Sequence, residues 1–132
     1  MTEHDDFLEW IRGPLTAAER ALHEGDAGPR RALWSPVEPV SVLGAWRNAI
    51  GLAETGELFA FLERSFSDCT RFEIEVLASD VVGDAAYTVA LEHTAVSVDG
   101  VPRAYTLRVT QVYRREGGEW RVAHRHGDTV GE

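Results

Sequence analysis

The spacing of hydrophobic residues changes once along this chain, close to residue 70. Before that point, apolar side chains recur every three or four residues, which is the repeat of a helix that buries one side. After it, apolar and polar residues alternate, which is the repeat of a β-strand with one buried face. Helices first and antiparallel strands second predict an α+β fold.

Three helical segments are predicted in the first half, at residues 5–24, after Asp26 to about Trp34, and from Thr55 to Phe66. Gly13-Pro14 should kink or split the first helix, because proline cannot donate to the helical hydrogen-bond ladder. Asp5 or Asp6 is the expected N-cap of this helix. Val40–Leu43 is predicted as a short strand, and residues 44–56 as loop with a partial helical turn.

Four longer strands are predicted in the second half, at Phe72–Ala78, Ala85–Val98, Arg103–Arg115 and Glu119–His126. Asp99-Gly100 and Gly117-Gly118 have the residue types of tight hairpin turns between the last three. The chain has 132 residues, 44% of them hydrophobic, which suffices for one core. We therefore expect a single domain over residues 1–132.

Charge and composition exclude several classes of function. The net charge is −9, which opposes binding to a nucleic-acid backbone. Every basic residue other than histidine is arginine, so Schiff-base chemistry and a phosphate-loop lysine are excluded. Cys69 is the only cysteine, the N-terminus is acidic, and no apolar run reaches membrane-spanning length. We expect a cytoplasmic protein without a membrane or nucleic-acid partner.

Strand alternation divides the side chains of the predicted sheet into two faces. We expect the larger and more apolar set to face the helices on the concave side of the sheet. This set comprises Tyr87, Val89, Leu91, His93, Leu107, Val109, Gln111, Tyr113, Trp120, Val122, His124 and His126. The opposite set, with Glu92, Arg108, Arg121 and Arg125, is then expected to be solvated or to form a sheet-to-sheet dimer contact.

His124 and His126 are the candidate acid and base groups, because a neutral imidazole exchanges protons near pH 7. An alternative is that the two histidines bond to each other, to Gln111 and to backbone, and close the bottom of the core. A metal bound with His93 or Asp128 is a further alternative. A His-x-His pair on a strand is weak support for that site, so we predict no metal and no cofactor.

Four segments resemble the nuclear transport factor 2-like superfamily, in particular its SnoaL-like and ketosteroid-isomerase-homologue branches. They are Val42-Leu-Gly-Ala-Trp46, Ala86-Tyr-Thr-Val89, Arg108-Val-Thr-Gln-Val-Tyr-Arg-Arg115 and Trp120-Arg-Val-Ala-His-Arg-His126. The hairpin formed by the last two is also similar to the association domain of calcium/calmodulin-dependent kinase. The resemblance implies a cone in which a strongly curved antiparallel sheet wraps around N-terminal helices and leaves a pocket.

The resemblance also implies a range of functions, since this superfamily includes isomerases, cyclases, dehydratases, binding modules and hubs. Its polyketide cyclases use a late carboxylate beside a histidine, and Asp128 after His126 is the nearest counterpart here. Glu38 matches the isomerase base only by position, so it is assigned no role.

We therefore expect a pocket for a small apolar or aromatic, polyketide-like ligand, lined by Trp46, Tyr87, His93 and Gln111 together with the two histidines. The predicted activity is cofactor-free isomerisation, cyclisation or dehydration, in which His126 or His124 moves the proton and Asp128 orients it. The alternative is a non-catalytic ligand-binding or association module. In either case we expect a homodimer.

Overall fold

A computed structural model describes residues 2–130 of the chain. The helices are α1 Glu3–Trp10, α2 Thr16–His23, α3 Gly28–Leu33 and α4 Gly51–Ser65, with a π-helical turn at Ile11–Leu15 between α1 and α2. The strands are β1 Ser41–Leu43, β2 Asn48–Ile50, β3 Phe66–Val82, β4 Ala85–Val98, β5 Val101–Glu116 and β6 Glu119–Thr129.

The first helical segment begins earlier than expected and is interrupted where expected. Thr2 is the N-cap: its side-chain oxygen accepts from the Asp5 backbone N–H, and the Asp5 carboxylate accepts from the Thr2 backbone N–H, which forms a capping box. The predicted N-cap at Asp5 or Asp6 was therefore wrong. Pro14 lies inside the π-helical turn, where the Thr16 hydroxyl donates to the Ile11 carbonyl at 2.7 Å. The predicted break at Gly13-Pro14 is confirmed.

All six strands form one sheet in the order β2-β1-β6-β5-β4-β3. β1 is parallel to β6, and the other neighbours are antiparallel. The curved, unclosed sheet packs on the N-terminal helices, so the predicted α+β cone is confirmed. Residues 44–56 contain the expected helical turn, at the start of α4, and also the short strand β2, which was not expected.

The helix-covered face of β4 is the opposite of the predicted one. The buried residues of β4 that alternate toward the helices are Ala86, Thr88, Ala90, Glu92, Thr94 and Val96. Tyr87 is exposed, and His93 lies on the same outer face. The prediction was wrong because small side chains let the helices approach the sheet, while the larger apolar ones remain outside.

A β-bulge in β6 reverses the predicted face of the two histidines. Val122 pairs with Tyr113 and His124 pairs with Val112, so Ala123 is an extra residue. Trp120 and Val122 are buried as predicted. The bulge residue Ala123 also faces the core, and after it Arg125 does so as well. His124 and His126 therefore lie on the outer face, and Arg125, which was expected outside, lies inside.

The closed end of the cone is filled by aromatic side chains. Phe7 packs edge-on against Tyr113 and Trp120, with ring centroids 5.0 and 5.1 Å apart. Trp10 also packs edge-on against Tyr113. These contacts tie α1 to β5 and β6. Within residues 2–130, no helix combines the length and apolar character needed to span a membrane.

Candidate functional site

A funnel opens between the helices and the concave face of the sheet. Its inner part is a cavity of about 50 Å³, and its outer part is a vestibule of about 550 Å³. The two share the lining residues Trp46, Phe61, Leu62, Phe66 and Tyr105, so they adjoin each other. The inner cavity ends at three buried polar side chains, His23, Arg30 and Arg125.

Two buried ion pairs form the floor of the inner cavity. Nη1 and Nη2 of Arg125 donate to the two carboxylate oxygens of Glu92, both at 2.7 Å. Nε and Nη2 of Arg30 donate to Glu19 at 2.7 and 2.8 Å. Such two-point pairs fix the orientation of both partners as well as their distance. The floor is therefore a rigid set of charges that cancel in pairs.

The opposite charges in these pairs also shift the pKa values of Glu19 and Arg125. Burial alone would raise the pKa of Glu19, but the charges of Arg30 and Arg125 outweigh it and lower that pKa. Burial would lower the pKa of Arg125, but Glu92 outweighs it and raises that pKa. Glu19 and Arg125 therefore stay charged at neutral pH.

Gln111 supports Arg125 from behind. Its side-chain oxygen accepts from Arg125 Nη1 at 3.1 Å, and its nitrogen donates to the Tyr113 hydroxyl at 2.7 Å. That hydroxyl is also 2.7 Å from the Thr88 hydroxyl. Gln111 was predicted to contact ligand; it is on the concave face as expected, but it does not line the cavity. Its position makes it a support for Arg125.

His23 is the one buried group in the cavity that is suited to accept a proton. Its Nδ1 lies 2.6 Å from the backbone oxygen of Glu19, and a carbonyl can only accept, so Nδ1 carries the hydrogen. The ring is stacked on Phe66 and Phe72. Burial lowers the pKa of His23 below its usual value, so the imidazole is neutral at pH 7. Nε2 then holds a free lone pair and, within residues 2–130, makes no hydrogen bond.

Tyr105 provides the complementary donor. Its hydroxyl is buried and has no hydrogen-bond partner among residues 2–130. Burial raises its pKa to about 12, so it remains protonated over the physiological range. The ring packs edge-on against Trp46, with centroids 5.3 Å apart. Trp46, which was predicted to contact ligand, lines both parts of the funnel.

The three predicted catalytic residues lie together on the opposite side of the sheet. His124 Nδ1 is 2.8 Å from the Ser41 hydroxyl, and His126 is exposed. Asp128 is paired with Arg108 at 3.0 and 3.1 Å. None of the three lines the funnel. Their placement in the pocket was therefore wrong, and their catalytic role stays a prediction.

Tyr87 and His93, which were predicted to contact ligand, also lie outside the funnel. Tyr87 is exposed on the outer face. His93 is held by hydrogen bonds to Thr106 at 3.1 Å and Glu75 at 2.9 Å. Both were placed in the pocket by the reversed alternation of β4. Within the described chain, no three histidine, cysteine or carboxylate groups are arranged to hold a metal ion.

Sequence reasoning missed His23, Glu19 and Arg30, although the first two had a detectable signal. Glu19 and His23 follow Leu15 by four and eight residues, on the same stripe as Leu22. That spacing places them on the buried side of the helix. Polar residues on an apolar stripe are expected to meet buried partners or a ligand.

Comparisons with known proteins agree with this architecture. A sequence profile of the SnoaL-like domain matches residues 11–129. Among curated proteins, none matches the chain in sequence.

Similar solved structures cover almost the entire chain. A candidate dehydratase of the NTF2-like family from Streptomyces avermitilis has 22% identity and a TM-score of 0.82, covering 97% of this chain and 99% of that one. An NTF2-like protein from Cytophaga hutchinsonii has 11% identity and a TM-score of 0.75, covering 98% and 100%. The CaMKII hub of S. rosetta has 17% identity and a TM-score of 0.68, covering 92% and 95%.

At these identities the solved structures establish the fold, whereas the profile match over most of the chain establishes the family. The chain belongs to the SnoaL-like domain family and has the NTF2-like fold.

Proposed function

We propose that the funnel binds a small, partly apolar molecule and that His23 moves a proton on it. The observation that carries this proposal is the neutral imidazole of His23, whose Nδ1 is bound to the Glu19 carbonyl and whose Nε2 is left without a partner beside the cavity. A buried base with a fixed tautomer and a pKa below neutrality is suited to general base catalysis. The similarity to a candidate dehydratase supports the same class of reaction.

The proposed chemistry starts next to a carbonyl group. His23 Nε2 takes the proton from the neighbouring carbon, and the electron pair of that C–H bond moves onto the carbonyl oxygen as an enolate. The Tyr105 hydroxyl donates a hydrogen bond to this oxygen as its negative charge develops. If a C=C bond is conjugated with the enolate, the electron pair shifts along the dienolate and the γ-carbon takes the proton back from His23, which completes an isomerisation. If the β-carbon carries a hydroxyl, the carbonyl re-forms, the enolate electrons make the Cα–Cβ double bond, the Cβ–O bond breaks, and the proton from His23 leaves with the hydroxyl as water, which completes a dehydration.

Solvent deuterium exchange tests this step without the natural substrate. A panel of small hydroxyketones is incubated with the protein in D₂O, and loss of the proton beside the carbonyl is followed by NMR. Wild-type protein should accelerate exchange for some members, and His23→Gln should reduce that rate about a hundredfold, as expected for a lost general base. His126→Gln is the matched control and should keep the rate. Equal rates in wild type and His23→Gln would contradict the proposal.

Ligand binding without exchange is the alternative function. The same funnel, with Trp46 and Tyr105 at its vestibule, would then serve a non-catalytic carrier, sensor or association module. Thermal shifts by panel members, combined with no exchange above the uncatalysed rate, would favour this alternative.

The outer face of the sheet is proposed as the contact between two copies of the chain. Leu77, Tyr87 and Val112 are exposed there by 56, 42 and 38%, and Val89 and Leu91 are half-buried beside them. Apolar side chains grouped on one sheet face favour a protein contact. The solved structures with this fold include an association hub, which is consistent with assembly.

A further inference from the structure

The two parts of the funnel differ about tenfold in volume. The inner cavity of about 50 Å³ holds a head group of only a few heavy atoms, since one water needs roughly 10–15 Å³ measured in this way. The vestibule of about 550 Å³ holds a ring system or chain, and Trp46, Phe61 and Phe66 contribute aromatic surface to it. A ligand that fills both must have a small inner end and a larger apolar body.

The buried floor of the inner cavity has no net charge to offer such an end. Both carboxylate oxygens of Glu92 are engaged by Arg125, and both of Glu19 by Arg30. An anionic head would meet arginines that are already paired and would lie beside two carboxylates. Burying a charge without its own partner is costly, so both anionic and cationic heads are disfavoured.

The polar atoms that remain specify a donor and an acceptor. Nε2 of His23 can only accept a hydrogen bond, because Nδ1 carries the hydrogen. The buried Tyr105 hydroxyl lacks a partner within residues 2–130, and its raised pKa keeps it a donor. A hydroxyl on the ligand would satisfy His23, and a carbonyl would satisfy Tyr105.

We infer that the inner end of the ligand is an uncharged hydroxyketone, and that carboxylate and phosphate groups are excluded from it. This inference rests on the proposed function, whose substrate class it specifies. Arg47 also lines the inner cavity and, among residues 2–130, has no carboxylate partner, but its side chain is exposed to solvent and lies over the Phe61 ring at 3.9 Å. An acidic group on the ligand is therefore compatible only with its outer end.

Two probes of one skeleton test the inference. Phenacyl alcohol carries a neutral hydroxyketone, and phenylglyoxylate carries a carboxylate in place of the hydroxymethyl group. Calorimetry at pH 7 on the wild-type protein should show phenacyl alcohol binding about tenfold or more tightly than phenylglyoxylate. Equal affinities, a preference for phenylglyoxylate, or no binding of either probe would overturn the inference.

Glu92→Gln tests the cause of the preference. This change keeps an oxygen for Arg125 but removes the charge that neutralises it, so the preference for phenacyl alcohol should fall about tenfold. An unchanged preference in a folded variant would overturn the charge argument. If the variant does not fold, the wild-type comparison still decides. Loss of proton exchange with intact discrimination between the probes would overturn the proposed function alone.

Discussion

Arg125 on β6 holds Glu92 on β4 across the intervening strand β5, with both nitrogen–oxygen distances at 2.7 Å. The two side chains are almost completely buried. The pair therefore links three strands at the point where the concave face becomes the floor of the cavity. It is a structural part of the cone as well as a wall of the candidate site.

Removing one partner of this pair should destabilise the protein strongly. Arg125→Met leaves the Glu92 carboxylate buried without its counter-charge, and the free energy of unfolding should fall by about 3–5 kcal/mol. Adding Glu92→Leu should recover a large part of this loss, because no unpaired charge then remains. Urea unfolding of wild type, both single variants and the double variant gives the coupling energy.

An exposed pair on the other face is the matched control for this prediction. Arg108 and Asp128 form the same two-point contact, but their side chains are 60 and 54% exposed. Arg108→Met should therefore cost less than about 1 kcal/mol. If Arg125→Met costs no more than Arg108→Met, the burial argument for the cavity floor is wrong.

The pH dependence of stability should show the buried state of His23. Burial lowers its folded-state pKa below the usual 6.5, so the unfolded chain binds the proton more readily. The contribution of neutral His23 to the free energy of unfolding is fully present above pH 6.5. It is lost as the pH falls toward the folded-state pKa of this residue. The free energy of unfolding should thus decline as the pH falls below 6.5, and less steeply in His23→Gln.

His124 is the necessary comparison, since burial and the neighbouring His126 lower its pKa as well. His124 therefore also lowers the free energy of unfolding as the pH falls below 6.5. His124→Gln should remove a separate part of this dependence of stability on pH. Unfolding curves measured across this pH range for both variants separate the two contributions. A slope that His23→Gln leaves unchanged would show that His23 is not buried as a neutral group.

Periodicity was sufficient to predict most of the elements of this fold, but not all of them. The bounds of β4 were predicted as they occur, and the resemblance supplied the cone. The strand β2 was missed because three residues that pair only with β1 carry too short a pattern to detect.

The candidate site could not be predicted in the same way, because it depends on which face of each strand is covered. On β4 the smaller side chains face inward, so size and hydrophobicity indicated the wrong face. On β6 the extra residue Ala123 changes the alternation, and no local sequence signal marks that bulge. His23 and Glu19 had a signal on the helical stripe, but Arg30 is brought to them only by the packing of α3 on α2.

Dimerisation through the outer face should be sensitive to charge at its centre. Val112 lies on β5, one of the inner strands of the sheet, and is 38% exposed. If a second copy covers it, Val112→Glu should convert the dimer to a monomer, because a buried carboxylate would lack a partner. Sedimentation velocity over a range of concentrations measures this.

Val101→Glu provides the control, since Val101 is 53% exposed at the start of β5, next to the hairpin turn from β4. This variant should sediment as wild type does. A wild-type protein that stays monomeric at high concentration, or a Val112→Glu protein that stays dimeric, would contradict the proposed contact.

The central claim is that His23 is a neutral base whose Nε2 faces the ligand, and nitrogen NMR of the five histidines tests it most directly. Histidine labelled with ¹⁵N reports the tautomer of each ring, and the spectrum of His23→Gln identifies the His23 signals. At pH 7, His23 should be protonated at Nδ1 only, and saturating phenacyl alcohol should shift its Nε2 signal while leaving those of His126 unchanged. A charged or Nε2-protonated His23, or a ligand response at His126 in place of His23, would contradict the claim.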